Sequence, residues 1–127
     1  MEQTVHYLVI QPGVTAADYD EPGAIAIHAS PQSRLGDDIR SLIGGWFDVA
    51  PGLHDAAIFV DDEGLLKGLT SNIVATTLHA YTQHLVGVAV IAGPPDAEGN
   101  TTSVPDAVIQ RISQTYGFPI VDAAPLA

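Results

Sequence analysis

The apolar segment HLVGVAVIAGP, residues 84 to 94, limits the fold of this chain more than any other stretch. Its continuous apolar part is far shorter than the roughly 20 residues that a membrane-spanning helix requires. A short, unbroken run that is rich in valine and isoleucine is typical of a strand covered on both faces. We therefore predict that residues 84 to 94 form the central strand of a sheet.

Four further segments are interpreted as extended chain because turn residues bound them. VHYLVIQPG (5–13) alternates and then ends at Pro-Gly, GAIAIHAS (23–30) is a short strand or an extended connection, and GWFDVAPG (45–52) also ends at Pro-Gly. HDAAIFVDDEGLLKGL (54–69) is predicted to be a hairpin. In it, AAIFV leads into the acids, Gly64 supplies a positive φ angle and LLKGL returns as a strand.

The segment SPQSRLGDDIRSLIGG (30–45) is predicted to be a helix. Ser30 can cap its first turn, Pro31 suits that turn, and Gly44 follows its end. One face of this helix is apolar and consists of Leu35, Ile39, Leu42 and Ile43.

A second helix is predicted for SVPDAVIQRISQTYG (103–117). Ser103 and Asp106 have the spacing of an S-x-x-D cap, and Gly117 ends the segment. SNIVATTLHAYTQ (71–83) has helical spacing but many β-branched residues, so it is interpreted as a short helix.

These elements predict an α+β fold with a mostly antiparallel sheet of about five strands and two or three helices. With 127 residues, the chain is expected to form a single compact domain over residues 1–127. The proline-containing tail, residues 118–127, is expected to pack as an extended segment or to fray.

The charge of the chain argues against several partners. Fifteen acids stand against four basic residues, Arg34, Arg40, Lys67 and Arg111, which gives a net charge of −11. Binding to nucleic acids or anionic membranes depends on clustered lysine and arginine, so we expect no direct nucleic-acid partner and no membrane partner. The chain has no cysteine, and near its start it has the acid Glu2 where a signal peptide would have lysine or arginine, which favours a cytoplasmic location.

The three consecutive acids Asp61, Asp62 and Glu63 have several possible roles. A calcium loop needs alternating oxygen ligands and a glutamate at the twelfth position, where this chain has Asn72. Buried carboxylates could exchange protons, but the tip of a hairpin is normally solvated. We therefore interpret the acids mainly as a solvated turn, with a contact surface for a basic partner as the functional alternative.

Other chemical signatures are weak. The five histidines, His6, His28, His54, His79 and His84, have no metal-binding spacing in sequence, although they could converge in space. The sequence has no nucleophile elbow, phosphate loop or dinucleotide fingerprint. We predict no catalytic residues, no metal site and no cofactor.

Trp46 and Phe47 lie together on a predicted strand. The favoured interpretation places them in the core. Neighbouring strand residues point to opposite faces, however, so one of the two could instead be an exposed anchor for a partner.

The acidity of the chain raises the hypothesis that it mimics DNA. Fifteen acids spread over a surface of about 6,400 Å² would lie far apart compared with the phosphates of a duplex. A mimic would need to gather residues 18–21, 37–38 and 61–63 on one face.

Several motifs together resemble a known family. LVIQPG, IGGWFDVAP, VDDEGLLKGLTSNIVAT and LVGVAVIAGPPDAEGNTTSVPDAVI follow one another over residues 5 to 113. In this order they resemble domain of unknown function 3846, a family of bacteriophages, actinobacteria and mobile elements. Gly64, Lys67, Gly68, Leu69 and Asn72 keep the family pattern.

The chain also departs from that pattern. Asp61 stands where Asn is usual, Thr70 where Pro is usual, and Trp46-Phe47-Asp48 replaces Tyr-Ile-Glu or Tyr-Val-Glu. The resemblance implies a small accessory protein and brings no activity or catalytic residue with it.

Our first hypothesis is a non-catalytic protein-interaction module that binds a protein partner or a second copy of itself. Its contact surface would be the apolar strand or the segment around residues 61 to 72, with binding residues Trp46, Asp61, Asp62, Glu63, Gly64, Lys67, Gly68 and Asn72. The alternatives are an acidic inhibitor that mimics nucleic acid or blocks a defence protein, and a small-molecule-binding domain or small enzyme.

Overall fold

The computed structural model describes residues 3–50, 55–78 and 84–123. The described part of the chain forms one six-stranded sheet and three α-helices, so the predicted α+β class is confirmed, with one strand more than expected. The elements are β1 (Thr4–Ile10), β2 (Ile25–Pro31), α1 (Leu35–Ile43), β3 (Phe47–Ala50), β4 (Ala57–Asp61), α2 (Ile73–Leu78), β5 (Ala89–Ala92), α3 (Asp106–Tyr116) and β6 (Ile120–Asp122).

The strand order is β3-β4-β5-β1-β2-β6. All neighbouring strands are antiparallel except β2 and β6, which are parallel. The predicted central strand is confirmed in a shorter form, because β5 lies between β4 and β1 and all four of its residues are buried.

Helices cover both faces of the sheet. On one face, α1 buries Leu35, Ile39 and Ile43 against alternate residues of β1, including Val5 and Val9. The opposite face packs against α2 and α3 through an apolar cluster that includes Leu8, Ile10, Ile58, Val74, Ile91, Val108 and Ile112. Since both faces are covered, β1 and β5 are the most deeply buried strands.

The predicted start of the first helix is wrong. Ser30 and Pro31 belong to β2, a 3-10 turn follows, and α1 begins only at Leu35. The hydroxyl of Ser30 is buried and hydrogen-bonds to the Tyr7 hydroxyl at 2.7 Å, so a tertiary contact replaces the expected capping role. The predicted end is confirmed, because Gly44 has the left-handed φ of 91°.

The second long helix also begins later than predicted. Ser103 does not cap it, because its Oγ accepts a hydrogen bond from the amide of His6 at 2.9 Å. The helix α3 therefore starts at Asp106 and ends, as predicted, at Gly117 with a φ of 68°.

The predicted hairpin over residues 54–69 is wrong in its second half. Instead of a returning strand from residues 65–69, β4 pairs antiparallel with the preceding strand β3, with Phe47 opposite Asp61, and with β5 on its other side. Residues 62–68 form consecutive turns instead of a returning strand.

The ends of the predicted segments 45–52, 54–69 and 71–83 extend beyond the described residues. No helix in the described part of the chain is both long and apolar enough to cross a membrane.

Candidate functional site

Asp61, the last residue of β4, begins a loop that ends at Asn72 and that we call the 61–72 loop. The Asp61 side chain is only 2% exposed. Its Oδ1 accepts a hydrogen bond from the amide of Glu63 at 2.8 Å, and its Oδ2 lies 2.7 Å from Nζ of Lys67. The prediction that Asp61 lies in a solvated turn is therefore wrong, because this acid stabilises the loop from inside.

Asp61 and Lys67 keep each other ionised. Burial raises the pKa of the Asp61 carboxyl, but the hydrogen bonds from Lys67 and from the Glu63 amide outweigh burial, so the pKa lies below its usual value. The hydrogen bond to Asp61 raises the pKa of the Lys67 ammonium group. A pair held in its charged form fixes the shape of the loop and does not titrate near neutral pH.

Two glycines allow the loop to turn where it does. Gly68 has a φ of 67°, which favours glycine. Gly64 does not have the positive φ that the sequence predicted; instead, a Cβ at this position would lie 2.8 Å from Cγ2 of Val86. The glycine at 64 therefore permits close packing against the segment that leads into β5.

Asn72 closes the loop and is fully buried. Its Oδ1 accepts hydrogen bonds from the Tyr19 hydroxyl at 3.0 Å and from the Ala75 amide at 3.1 Å, so Asn72 caps the N-terminus of α2. Its Nδ2 donates to the carbonyl oxygens of Ile10 and Gly87, each at 3.0 Å. All four hydrogen-bonding positions of this amide are used inside the protein, so its role in this geometry is to join the loop to the core.

The tip of the loop presents two leucines to solvent. Leu65 is 69% exposed and Leu66 is 88% exposed, and the neighbouring Asp62 and Glu63 are also exposed. Sequence reasoning missed both leucines as surface residues because it placed them on a returning strand. The available signal was their adjacency, since two neighbouring residues of a strand point to opposite faces.

Trp46 lies beside the loop, where its carbonyl oxygen accepts a hydrogen bond from the amide of Asp62 at 3.1 Å. Its side chain is 67% exposed, and the Arg40 guanidinium lies 4.7 Å from its ring centre. Phe47, in contrast, packs edge-on against Phe59. The interpretation of Trp46 as a core residue is therefore wrong, whereas Phe47 is half-buried against the sheet.

A cavity of about 340 Å³ lies between the loop and residues 84–86. Its mostly apolar lining includes buried Leu85 and Val86, exposed Leu65 and Leu66, and the polar side chains Asp62, Glu63 and His84. The two sides of the cavity are tied together, because Oγ of Ser71 lies 2.6 Å from Nε2 of His84 and Ser71 forms a backbone bridge with Val86. Sequence reasoning did not predict this cavity, since its sides come from separate segments.

Each permanent cation of the chain is paired with an aspartate. The pairs are Arg34–Asp38 at 3.6 Å, Arg40–Asp37 at 3.0 Å, Lys67–Asp61 at 2.7 Å and Arg111–Asp55 at 2.5 Å. None of these four ion pairs includes Asp62 or Glu63, although both acids lie close enough to Lys67 to contribute to its raised pKa. The mouth of the cavity carries a local excess of negative charge.

The histidines that could have converged in space do not form a metal site in the part of the chain that is described. Across residues 3–50, 55–78 and 84–123, no three histidine or acidic side chains come together where they could hold a metal ion. His6 and His84 are exposed, and His28 is partly buried against the Tyr7 ring. His54 and His79 lie outside the described residues.

Comparisons with known proteins give one match. Neither a search of curated proteins nor a search of solved structures finds a match. The sequence model of a family described as a domain of unknown function, number 3846, matches residues 5–117. This range includes every element of the fold except β6 and the first residue of β1, and it includes the complete 61–72 loop. The chain therefore belongs to the family of domain of unknown function 3846.

Proposed function

We propose that this chain is a small accessory protein, of the kind encoded by phages and mobile elements, that acts as a non-catalytic protein-interaction module. The contact surface is the tip of the 61–72 loop together with Trp46. The observation that carries the proposal is the exposure of Leu65 and Leu66, at 69% and 88%, on a loop that is firmly attached to the core.

Burial of the exposed leucines by a partner would contribute strongly to the free energy of binding. Burying one leucine side chain contributes about 1.5–3 kcal/mol. Leu65, Leu66 and Trp46 are three of the five large apolar side chains that the described structure leaves exposed. The backbone of Trp46 is joined to Asp62, at the start of the loop tip, by a hydrogen bond, and this supports assigning Trp46 to the same contact surface.

The attachment of the loop to the core favours binding, because the loop is already ordered before a partner binds. The Asp61–Lys67 pair fixes its first half, and the buried amide of Asn72 fixes its end. A loop already held in one conformation loses less conformational entropy when a partner binds. This arrangement supports recognition of a protein surface by preformed apolar side chains.

A photo-cross-linking experiment tests the proposal. The benzophenone amino acid p-benzoylphenylalanine replaces Leu66 in the full-length protein, and the same replacement at Val14 is the control, because Val14 is also exposed, at 58%. After irradiation in the cells that encode the protein, we expect a discrete adduct from position 66 and none from position 14. The mass of the adduct distinguishes a heterologous partner from a second copy.

Two outcomes would refute the proposal. Equal adducts from both positions would show that contact is not specific to the 61–72 loop. Absence of any adduct at position 66, when the labelled protein is folded and abundant, would show that the leucines contact no partner.

The second candidate, an acidic inhibitor that mimics nucleic acid, has less support. Of the acids that would have to gather on one face, Asp37, Asp38 and Asp61 are each paired with a cation of the same chain. Such pairing reduces the negative potential that a mimic must present. If an adduct from position 66 contained a basic nucleic-acid-binding enzyme, this candidate would replace the first.

A further inference from the structure

We propose that the cavity beside the 61–72 loop receives an arginine side chain of the protein partner. The aliphatic part of that arginine would pack on Leu65, Leu66 and Val86, and its guanidinium group would meet the carboxylates of Asp62 and Glu63. This inference rests on the proposed function, because it assigns the chemistry of the partner at the same surface.

The apolar part of the lining explains why a long side chain fits. Leu85 and Val86 are buried in the sides of the cavity, while Leu65 and Leu66 are exposed at the loop tip. Arginine and lysine place their methylene groups along apolar surface and keep the charged group at the polar edge. The cavity offers both environments within one volume of about 340 Å³.

The two carboxylates and the three amides next to them favour a cation as the ligand. The amides of Asp62, Glu63 and Gly64 donate to the Trp46 carbonyl, to Oδ1 of Asp61 and to the Asp61 carbonyl, at 3.1, 2.8 and 3.2 Å. These donors are therefore used inside the protein and do not face an anion. The carboxylates of Asp62 and Glu63 remain as acceptors, which require a ligand that donates hydrogen bonds.

The charge balance of the chain leaves those two acids for a partner. Arg34, Arg40, Lys67 and Arg111 are all paired with aspartates other than Asp62. The net charge of −11 also attracts basic partners from a distance. Arginine is favoured over lysine because its planar guanidinium can donate to a carboxylate through two parallel hydrogen bonds.

Titration of the ¹⁵N-labelled full-length chain with butylguanidinium, followed by NMR, tests this inference. We expect saturable shifts of the amides of Gly64, Leu65, Leu66 and Val86. Butanol, which keeps the apolar chain, should bind more weakly, and butyrate should not bind. The Asp62→Asn/Glu63→Gln variant should raise the dissociation constant roughly three- to tenfold, as expected for two solvent-exposed charge contacts.

The matched control is Asp20→Asn/Glu21→Gln, which removes the same charge from two exposed neighbouring acids elsewhere. It should leave the dissociation constant within about twofold, since screened distant charges contribute little. Equal weakening by both double variants, shifts spread over all acidic regions, or equal affinity for butanol would overturn the inference.

Two combinations of results distinguish the failure of this inference from the failure of the proposed function. If Asp62→Asn/Glu63→Gln leaves the adduct from position 66 unchanged and butylguanidinium does not bind, the cavity does not receive arginine, while the protein-interaction function stands. If butylguanidinium binds but no adduct forms at position 66, the proposed function fails, and the cavity's arginine assignment fails with it.

Discussion

The carboxylate of Asp61 and the ammonium group of Lys67 lie 2.7 Å apart, but they differ greatly in their access to water. The Asp61 side chain is 2% exposed, whereas the Lys67 side chain is 39% exposed. Lys67 could reach solvent if its partner were removed, but Asp61 could not. The two residues are therefore unequal members of one pair, and their substitutions should have unequal effects.

Lys67→Met should destabilise the protein more than Asp61→Asn. Lys67→Met leaves a buried carboxylate without its cation, which is strongly unfavourable. Asn at position 61 still accepts the hydrogen bond from the Glu63 amide, and the unpaired Lys67 becomes solvated. Urea unfolding at pH 7 should give the highest midpoint for the wild type, then Asp61→Asn, then Lys67→Met.

The pH dependence of the same series provides an internal check. The pKa of Asp61 is lowered in the folded wild type, so the stability from this pair is present above about pH 4 and is lost as the pH falls further. In Lys67→Met the buried carboxyl gains a proton readily. The stability difference between wild type and Lys67→Met should therefore shrink between pH 6 and pH 3, and a constant difference would contradict the buried pair.

Substitution of Asn72 should be among the most destabilising changes in this chain. Asn72→Ala removes the cap of α2 and leaves the carbonyl oxygens of Ile10 and Gly87 without this donor. Loss of the cap and of these buried hydrogen bonds should cost about 3 kcal/mol or more. Thermal and urea unfolding measure this cost, and Thr70→Ala, at an exposed position of the same loop, should stay within about 0.5 kcal/mol of the wild type.

Asn72→Asp separates the donor role from the acceptor role. The acid retains the oxygen that accepts from Tyr19 and Ala75, but it places a second oxygen opposite two carbonyl groups. A protonated acid can donate to one of them. The variant should therefore be least stable, relative to wild type, at neutral pH and should recover part of the difference on acidification. Wild-type stability at pH 7 would rule out this account of Asn72.

Two glycines should respond to alanine in opposite directions. A Cβ at Gly36, in the first turn of α1, meets no atom within 4 Å, whereas a Cβ at Gly93 would lie 2.3 Å from the backbone oxygen of Ser103. Gly36→Ala should stabilise the protein by up to about 1 kcal/mol because alanine favours the helix. Gly93→Ala should destabilise it by about 1–3 kcal/mol through overpacking. Urea midpoints that move in the same direction would contradict this contrast.

Local signals in the sequence predicted the parts of the fold that depend on local chemistry. Gly44 and Gly117 were correctly placed at helix ends because a left-handed residue after a helix strongly favours glycine. The starts of the same helices were wrong because Ser30 and Ser103 bond to distant residues, Tyr7 and His6. Side chains that can cap a helix can also make tertiary contacts, and sequence spacing does not distinguish the two uses.

The structure of the 61–72 loop could be predicted from the sequence only in part. The sequence directed attention to residues 61 to 72, and Asn72 before an apolar helical segment is a cap signal that could have been used. The sequence did not indicate that Asp61 is buried. Its ionic partner, Lys67, stands six residues later in the sequence and lies beside Gly45 in the structure. Gly64 and Asn72 are residues that build the loop.

His28 should make the protein less stable as the pH falls. Burial lowers the pKa of its imidazole in the folded protein, and its Nδ1 is buried without a hydrogen-bond partner in the described structure. The Tyr7 ring stacks on it at 5.8 Å. The unfolded chain binds a proton below about pH 6.5, while the folded chain takes it up only at lower pH, so stability decreases from that pH downward.

The measurement is urea unfolding from pH 8 to pH 5 for the wild type and for His28→Gln. Between pH 6.5 and pH 5 the free energy of unfolding of the wild type should fall with a slope that corresponds to less than one proton taken up on unfolding. His28→Gln should lose less stability over the same range. If the slopes of wild type and His28→Gln are equal, another group causes the acid sensitivity, and the buried imidazole is protonated as easily in the folded state as in the unfolded one.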